Sequence, residues 1–201
     1  MSANPNRVLW TLIVTCAMVA LTLAFMSDAL AVGPRKVVDT FTAATANMTP
    51  GGVNLRVQIL EWQDAAARSE AVASIAAGAG ASTPLAKLPT VGYVWQSGSP
   101  VGYSVKYTHR EPAPEGGERI TLVTDRRLGS YDFKGWSVAP PAVPNDLPYS
   151  VIELNVSGSG TGTGRLSLVG NVQLDEKGGT VMLDSSAPTL LTSLKREPPM
   201  P

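Results

Sequence analysis

The chain has 201 residues, with 16 Lys and Arg balanced by 16 Asp and Glu, one histidine and one cysteine. Zero net charge implies no surface built to attract polyanions, so nucleic acid is not expected as a partner. A single His and a single Cys exclude an internal disulfide and the usual multi-ligand zinc centre, and no cofactor or metal is implied.

At the start, Arg7 precedes the apolar run "VLWTLIVTCAMVALTLAFM", and "SDALAV" follows with Ala29-Leu30-Ala31 as a small-x-small cleavage site. Residues 1–31 therefore read as a secretory signal peptide. The alternative is an uncleaved membrane anchor, because a run of roughly 20 apolar residues is long enough to span a bilayer. Acylation of Cys16 does not fit, since apolar sequence continues well past it. Cleavage removes Arg7, Asp28 and Cys16, which leaves an exported part that is neutral and cysteine-free. The expected location is periplasmic or extracellular, or membrane-anchored with the domain outside the cytoplasm; the membrane is touched only if the N-terminal segment stays.

Residues 32–52 mix small and polar side chains and read as a flexible tether, so a single β-rich domain is expected over 53–197. "VNLRVQILEW" alternates Val53, Leu55, Val57 and Ile59 with polar residues, the period of a half-buried strand. A helix follows in "DAAARSEAVASIAA", with Asp64 as N-cap, Ala67, Val72, Ile75 and Ala76 as a thin apolar stripe, and Gly78 and Gly80 as the stop. A second short helix follows in "STPLAKL", capped by Thr83, with Pro84 at its first position and Pro89 ending it.

From residue 91 onward the chain reads as strands and loops. "VGYVWQ", "VGYSVKYTHR" and "RITLVTD" form a meander, and the second of them places Val101, Tyr103, Val105, Tyr107 and His109 on one face, with Lys106 and Thr108 facing out. Residues 126–148 contain four prolines and no period, the kind of long excursion in which functional loops occur. "YSVIELNV", "GRLSLVGNVQL", "TVMLD" and "TLLTSLKR" then read as antiparallel hairpin strands. The expected fold is α+β, mainly β: an antiparallel sandwich or barrel of about eight strands with two short helices inserted after the first strand.

Strand ending "EW", helical insertion, "LPTVGYVW", "GYSVKYTHREPAPEGGERITLVTDRRLG", "YSVIELNVSGSGTGTGRLSL" and "DEKGGTVMLD", in that succession, resemble a family of small exported bacterial proteins that carry no established activity. The resemblance spans most of residues 53–196 and implies bacterial origin and export. It implies no catalytic residues.

Lone His109 has no G-x-S-x-G serine to serve, and reads as a packed residue near a strand end. "SGSGTGTGR" matches no nucleotide loop and reads as a hairpin connection. Tyr93, Trp95, Tyr103 and Tyr107 read as sheet core or as the lining of an amphipathic cavity for a lipid, glycan or cell-wall fragment. Glu153, inside "VIELNV", is expected to face solvent on an edge strand. Asp125 is expected to accept from turn N–H groups after its strand, and Arg126 to reach loop carbonyls or another acid. The candidate ligand-binding residues are thus Tyr93, Trp95, Tyr103, Tyr107, Asp125 and Arg126, with no catalytic or metal-binding residue named. The function expected is that of a non-enzymatic binding or envelope-associated β domain. The alternative is a carboxylate-based hydrolase acting on envelope or extracellular material, which requires two acids such as Asp125 and Glu153 to face each other across a cleft; whether the protein is an enzyme stays open.

Overall fold

A computed structural model describes residues 35–46, 52–77, 84–96, 99–128, 148–167, 171–184 and 188–198. The signal segment with Cys16, the helix signals at Gly78, Gly80 and Thr83, and residues 129–147 of the proline-rich excursion lie outside the described residues. In chain order the elements are β1 (Asp39–Thr45), β2 (Asn54–Ile59), α1 (Ala65–Ala76), α2 (Pro84–Lys87), β3 (Gly92–Gln96), β4 (Tyr103–Pro112) and β5 (Glu118–Thr124). Then come β6 (Val151–Val156), β7 (Thr161–Ser167), β8 (Asn171–Asp175), β9 (Thr180–Asp184) and β10 (Thr189–Glu197).

β1 to β7 and β10 close into an antiparallel barrel of order β1-β10-β7-β6-β5-β4-β3-β2, in which every strand neighbours the next one along the chain. The β8–β9 hairpin is a separate two-stranded sheet inserted between β7 and β10. The expected mainly β antiparallel fold is what the chain adopts, and the choice between sandwich and barrel falls to the barrel.

Two boundaries move. β1 lies inside the segment read as a tether, and the compact unit runs from Val37 to Pro201. The helices accordingly follow the second strand. β1 escapes a reading by hydropathy because its inward positions are Phe41, Ala43 and Thr45, of which only Phe41 is large and apolar. "GRLSLVGNVQL" is also not one strand: it divides between β7 in the barrel wall and β8 in the hairpin.

Inside the barrel, Phe41, Leu55, Val57, Ile59, Val94, Tyr103, Val105, Ile120, Leu122, Ile152, Leu154, Leu166, Leu191 and Leu194 form one continuous buried cluster. An eight-stranded barrel has an interior just wide enough for side chains to fill, and here apolar side chains fill it. β7 supplies no bulk on the inward side at Gly162 and Gly164; a Cβ on Gly162 would collide with the Asn155 carbonyl oxygen. The segment read as a loose hairpin connection is thus half strand, and only its Ser157–Gly160 part turns, with Gly160 at φ 81°.

A second apolar cluster lies outside the barrel. α1, α2 and the β8–β9 hairpin cover the outer faces of β4, β5 and β6, burying Ala71, Val72, Ile75, Leu85, Val181 and Leu183 against Tyr107, Val123 and Val151. Asp64 caps α1 as expected, its side chain accepting from the Ala67 N–H at 2.9 Å. Within the helix Ala71 takes the buried place that the stripe assigned to Ala76, which is exposed.

The change of face between the two clusters is made by a β-bulge in β4. Val105 pairs with Thr124 but Tyr107 pairs with Val123, so Lys106 is an extra residue on this strand. A bulge of this kind inverts the side-chain alternation beyond it. Tyr103 and Val105 point into the barrel and Tyr107 and His109 point outward, which corrects the single face expected for all four. Lys106 and Thr108, expected in solvent, are 6% and 0% exposed. Lys106 Nζ donates to the Leu88 carbonyl at 2.7 Å and to Thr90 Oγ1 at 3.0 Å. Thr108 turns inward, its Oγ1 donating to the Glu61 carbonyl. Beyond the bulge β4 has no β3 partner; the Gln63 side chain takes that place, accepting from the Thr108 N–H and donating to the Lys106 carbonyl.

Candidate functional site

Alternation along the strands dictates what the outer wall presents. With Phe41 and Ala43 inward, β1 shows Thr40, Thr42 and Ala44; with Leu55 and Val57 inward, β2 shows Asn54, Arg56 and Gln58; with Val94 inward, β3 shows Tyr93 and Trp95. Cross-strand register lines these up as Thr42–Arg56–Trp95 and Thr40–Gln58–Tyr93–Ser104.

β1 is the low point of this wall, because Thr42 and Ala44 are shorter than their neighbours. A groove of about 650 Å3 follows it, with Asn54 and Arg56 on one bank and Ser193, Glu197 and Pro198 on the other. The second bank is raised by a bulge in β10, where the four residues from Thr192 to Lys195 match three from Ala44 to Thr42. The extra residue, Ser193, has φ 52°, a conformation that costs a residue with a Cβ. Thr42 Oγ1 donates to Glu197 Oε1 at 3.0 Å across the groove. One cation, Arg56, and one anion, Glu197, make the lining neutral overall.

Beside this groove stands the aromatic pair. Tyr93 and Trp95 are half-buried, their rings 5.3 Å apart and tilted by 39°. The Trp95 indole lies against Gly102, where a Cβ would fall 2.7 Å from Nε1. The row through Tyr93 and Ser104 continues to Asp125, whose N–H donates to the Ser104 carbonyl at 2.8 Å. Arg126 pairs directly with Asp125, Nη2 to Oδ2 at 3.0 Å, where loop carbonyls or another acid were the expected partners of Arg126. The turn after β5 is held instead by Thr124 Oγ1, which donates to the Arg126 carbonyl, and by Ser150 Oγ, which accepts from the Leu128 N–H. Lys106 lies within electrostatic reach of Asp125; burial holds its ammonium below the ordinary lysine range, with Asp125 opposing that shift and Arg126 adding to it.

Of the six expected ligand residues the wall therefore gathers four: Tyr93, Trp95, Asp125 and Arg126. Tyr103 is 1% exposed inside the barrel, and Tyr107 lies under α1 and the hairpin. The Tyr107 hydroxyl donates to the Gly179 carbonyl at 2.9 Å, and burial pushes the phenol up to about 12. An internal aromatic-lined cavity does not form from these residues, because the bulge sends Tyr103 and Tyr107 to opposite faces of the wall.

Glu153 is not on an exposed edge. It is 4% exposed on β6, with Oε2 accepting from Arg165 and Oε1 from the Leu183 N–H. Both of its oxygens are committed, as are those of Asp125, so the pair of opposed carboxylates that a hydrolase requires does not arise from these two. Among the described residues Asp39 and Glu118 do converge, at one mouth of the barrel, where Arg196 bridges them at 3.1 and 2.7 Å and covers the Phe41 ring. Beside them Arg110 stacks on Trp62. The Asp39 carboxyl is raised, by burial first, with Arg196 opposing and Glu118 assisting. Among the described residues no cluster of three or more His, Cys, Asp and Glu is placed to hold a metal ion, and no helix is long and apolar enough to cross a membrane.

Arg56, Ser193 and Glu197 were not legible as site residues. Arg56 reads as an ordinary polar position of a half-buried strand, and the other two reach it only through closure of β10 on β1. No family model, curated protein or solved structure matches this chain.

Proposed function

We propose that this protein is a non-enzymatic, envelope-associated binding domain that works outside the cytoplasm and recognises its partner on the outer wall of the barrel. One observation carries the reading: apolar side chains fill the interior, whereas the half-buried Tyr93–Trp95 pair borders a groove on the wall that is lined by polar and apolar groups together. Aromatic residues with a polar tip suit contacts that are apolar on one side and wet on the other. Export rests on Arg7, the apolar run after it and the Ala29-Leu30-Ala31 site, and the resemblance to small exported bacterial proteins points the same way. The hydrolase alternative draws no support from Asp125 and Glu153, whose oxygens are held by Arg126, Arg165 and Leu183.

The test has two parts. A fusion at the C-terminus to a reporter that is active only outside the cytoplasm should be active in a bacterial host. Purified full-length protein should co-sediment saturably with a bacterial envelope fraction, and the Tyr93→Ala/Trp95→Ala variant should lose this while keeping its melting temperature. Co-sedimentation indifferent to that variant, or turnover of envelope material, overturns the reading.

A further inference from the structure

We infer that the groove along β1 is a subsite for a neutral oligosaccharide chain; the inference rests on the binding reading above and names its ligand class. The shape comes first. Thr42 and Ala44 give the groove a shallow floor, the β10 bulge at Ser193 raises one bank, and Arg56 with Asn54 raises the other.

The chemistry of the lining narrows the occupant. Guanidinium, carboxamide, carboxylate and threonine hydroxyl present planar and rotatable donors and acceptors side by side, the set that satisfies vicinal hydroxyl groups. Arg56 and Glu197 oppose one another, so the lining offers no net charge to an anion or a cation. A lipid chain would displace water from these donors and acceptors and offer them no hydrogen bond in its place, at a cost for each. A peptide added as a further strand finds no free edge here, because β1 is already hydrogen-bonded to β2 on one side and β10 on the other. Trp95, paired across the strands with Arg56, adds an aromatic surface next to the groove, with Tyr93 tilted against it. A sugar ring carries both faces that this arrangement rewards: hydroxyl groups at its edge and C–H groups on its flat side.

Isothermal titration of the full-length protein with short chito- and cello-oligosaccharides tests this, with an oligogalacturonate and a neutral peptide as controls. Saturable binding of at least one neutral oligosaccharide is expected, and none of either control. Arg56→Ala removes the guanidinium and Ala44→Leu fills the floor; each should weaken binding by about tenfold or more with little change in melting temperature. Should Ala44→Leu fail to fold, Asn54→Ala, an exposed change on the same bank, serves in its place. Absence of saturable binding by both neutral series, equal binding of the oligogalacturonate, or affinity unchanged in the folded variants overturns the inference. Periodate treatment of the envelope fraction separates this failure from that of the binding reading. Co-sedimentation that survives oxidation of the vicinal diols, yet still depends on Tyr93 and Trp95, removes the glycan and leaves the binding domain.

Discussion

Glu153 on β6 and Arg165 on β7 are bonded across the outer wall, Arg165 Nε donating to Glu153 Oε2 at 2.6 Å, while Glu153 Oε1 accepts from the Leu183 N–H of the hairpin at 2.8 Å. One buried carboxylate thus fastens an inserted sheet to the barrel. Glu153→Ala leaves the Leu183 N–H without its acceptor and should cost about 1 to 3 kcal/mol. Hydrogen exchange should rise across residues 171–184 before it rises in the barrel strands. Uniform loss of protection would show that the hairpin and barrel open together and that Glu153 is no local fastener.

At the β4 bulge, Lys106 and Val105 are neighbours that the wall treats alike. Val105→Asp places a carboxylate inside the apolar barrel. Lys106→Asp places one at a 6% exposed position, facing the Leu88 carbonyl and Thr90 Oγ1 and within reach of Asp125. Both should destabilise by more than about 3 kcal/mol, read from urea unfolding. A tolerated Lys106→Asp would mean that β4 runs without its bulge and that Lys106 faces solvent.

The acid at the barrel mouth and the histidine on the wall bend the pH profile in opposite directions. Asp39 is raised above its unfolded range, so its contribution is fully present below about pH 4 and is lost as pH rises through the folded value; the charged form is the costly one. Asp39→Asn should therefore melt at or above the temperature of the parent at pH 7, whereas Arg196→Met, which leaves Asp39 and Glu118 without their shared cation, should melt lower. His109 is lowered, by burial first and then by Arg68, with Glu111 opposing and Arg119 adding. Its contribution is present above an unfolded value of about 6.5 and is lost as pH falls from there through the folded one. His109→Gln should flatten the decline in that window, and an unchanged slope would assign the decline to other groups.

Ser193 holds a left-handed conformation at φ 52° in the β10 bulge. Relief of the Cβ contact in Ser193→Gly outweighs the extra chain entropy of glycine, and the net gain should be about 0.5 to 1 kcal/mol in thermal or urea unfolding. A loss of stability would indicate that the serine side chain supports the bulge.

Elements whose signals are local can be read from their own residues. Alternation in Leu55, Val57 and Ile59 marks β2 and its inward face, and Asp64 marks the start of α1. Tyr93 and Trp95, which read as sheet core or cavity lining, are instead half-buried on the outer face of β3, opposite Val94. Tertiary structure decided what depends on a partner strand. Closure into a barrel requires β1 to pair with β10, joining Phe41 to Arg196 across most of the chain, and neither strand announces the other in its own residues. The same pairing builds the groove, since Arg56, Ser193 and Glu197 become neighbours only when the wall closes. A bulge is a mismatch in length between two strands, so nothing in "YSVKYTHR" alone separates Tyr103 from Tyr107; the register with Thr124 and Val123 does. Glu153 reads as a solvent position on β6 because its own strand cannot show that a hairpin from later in the chain will cover it and supply the N–H that satisfies its charge.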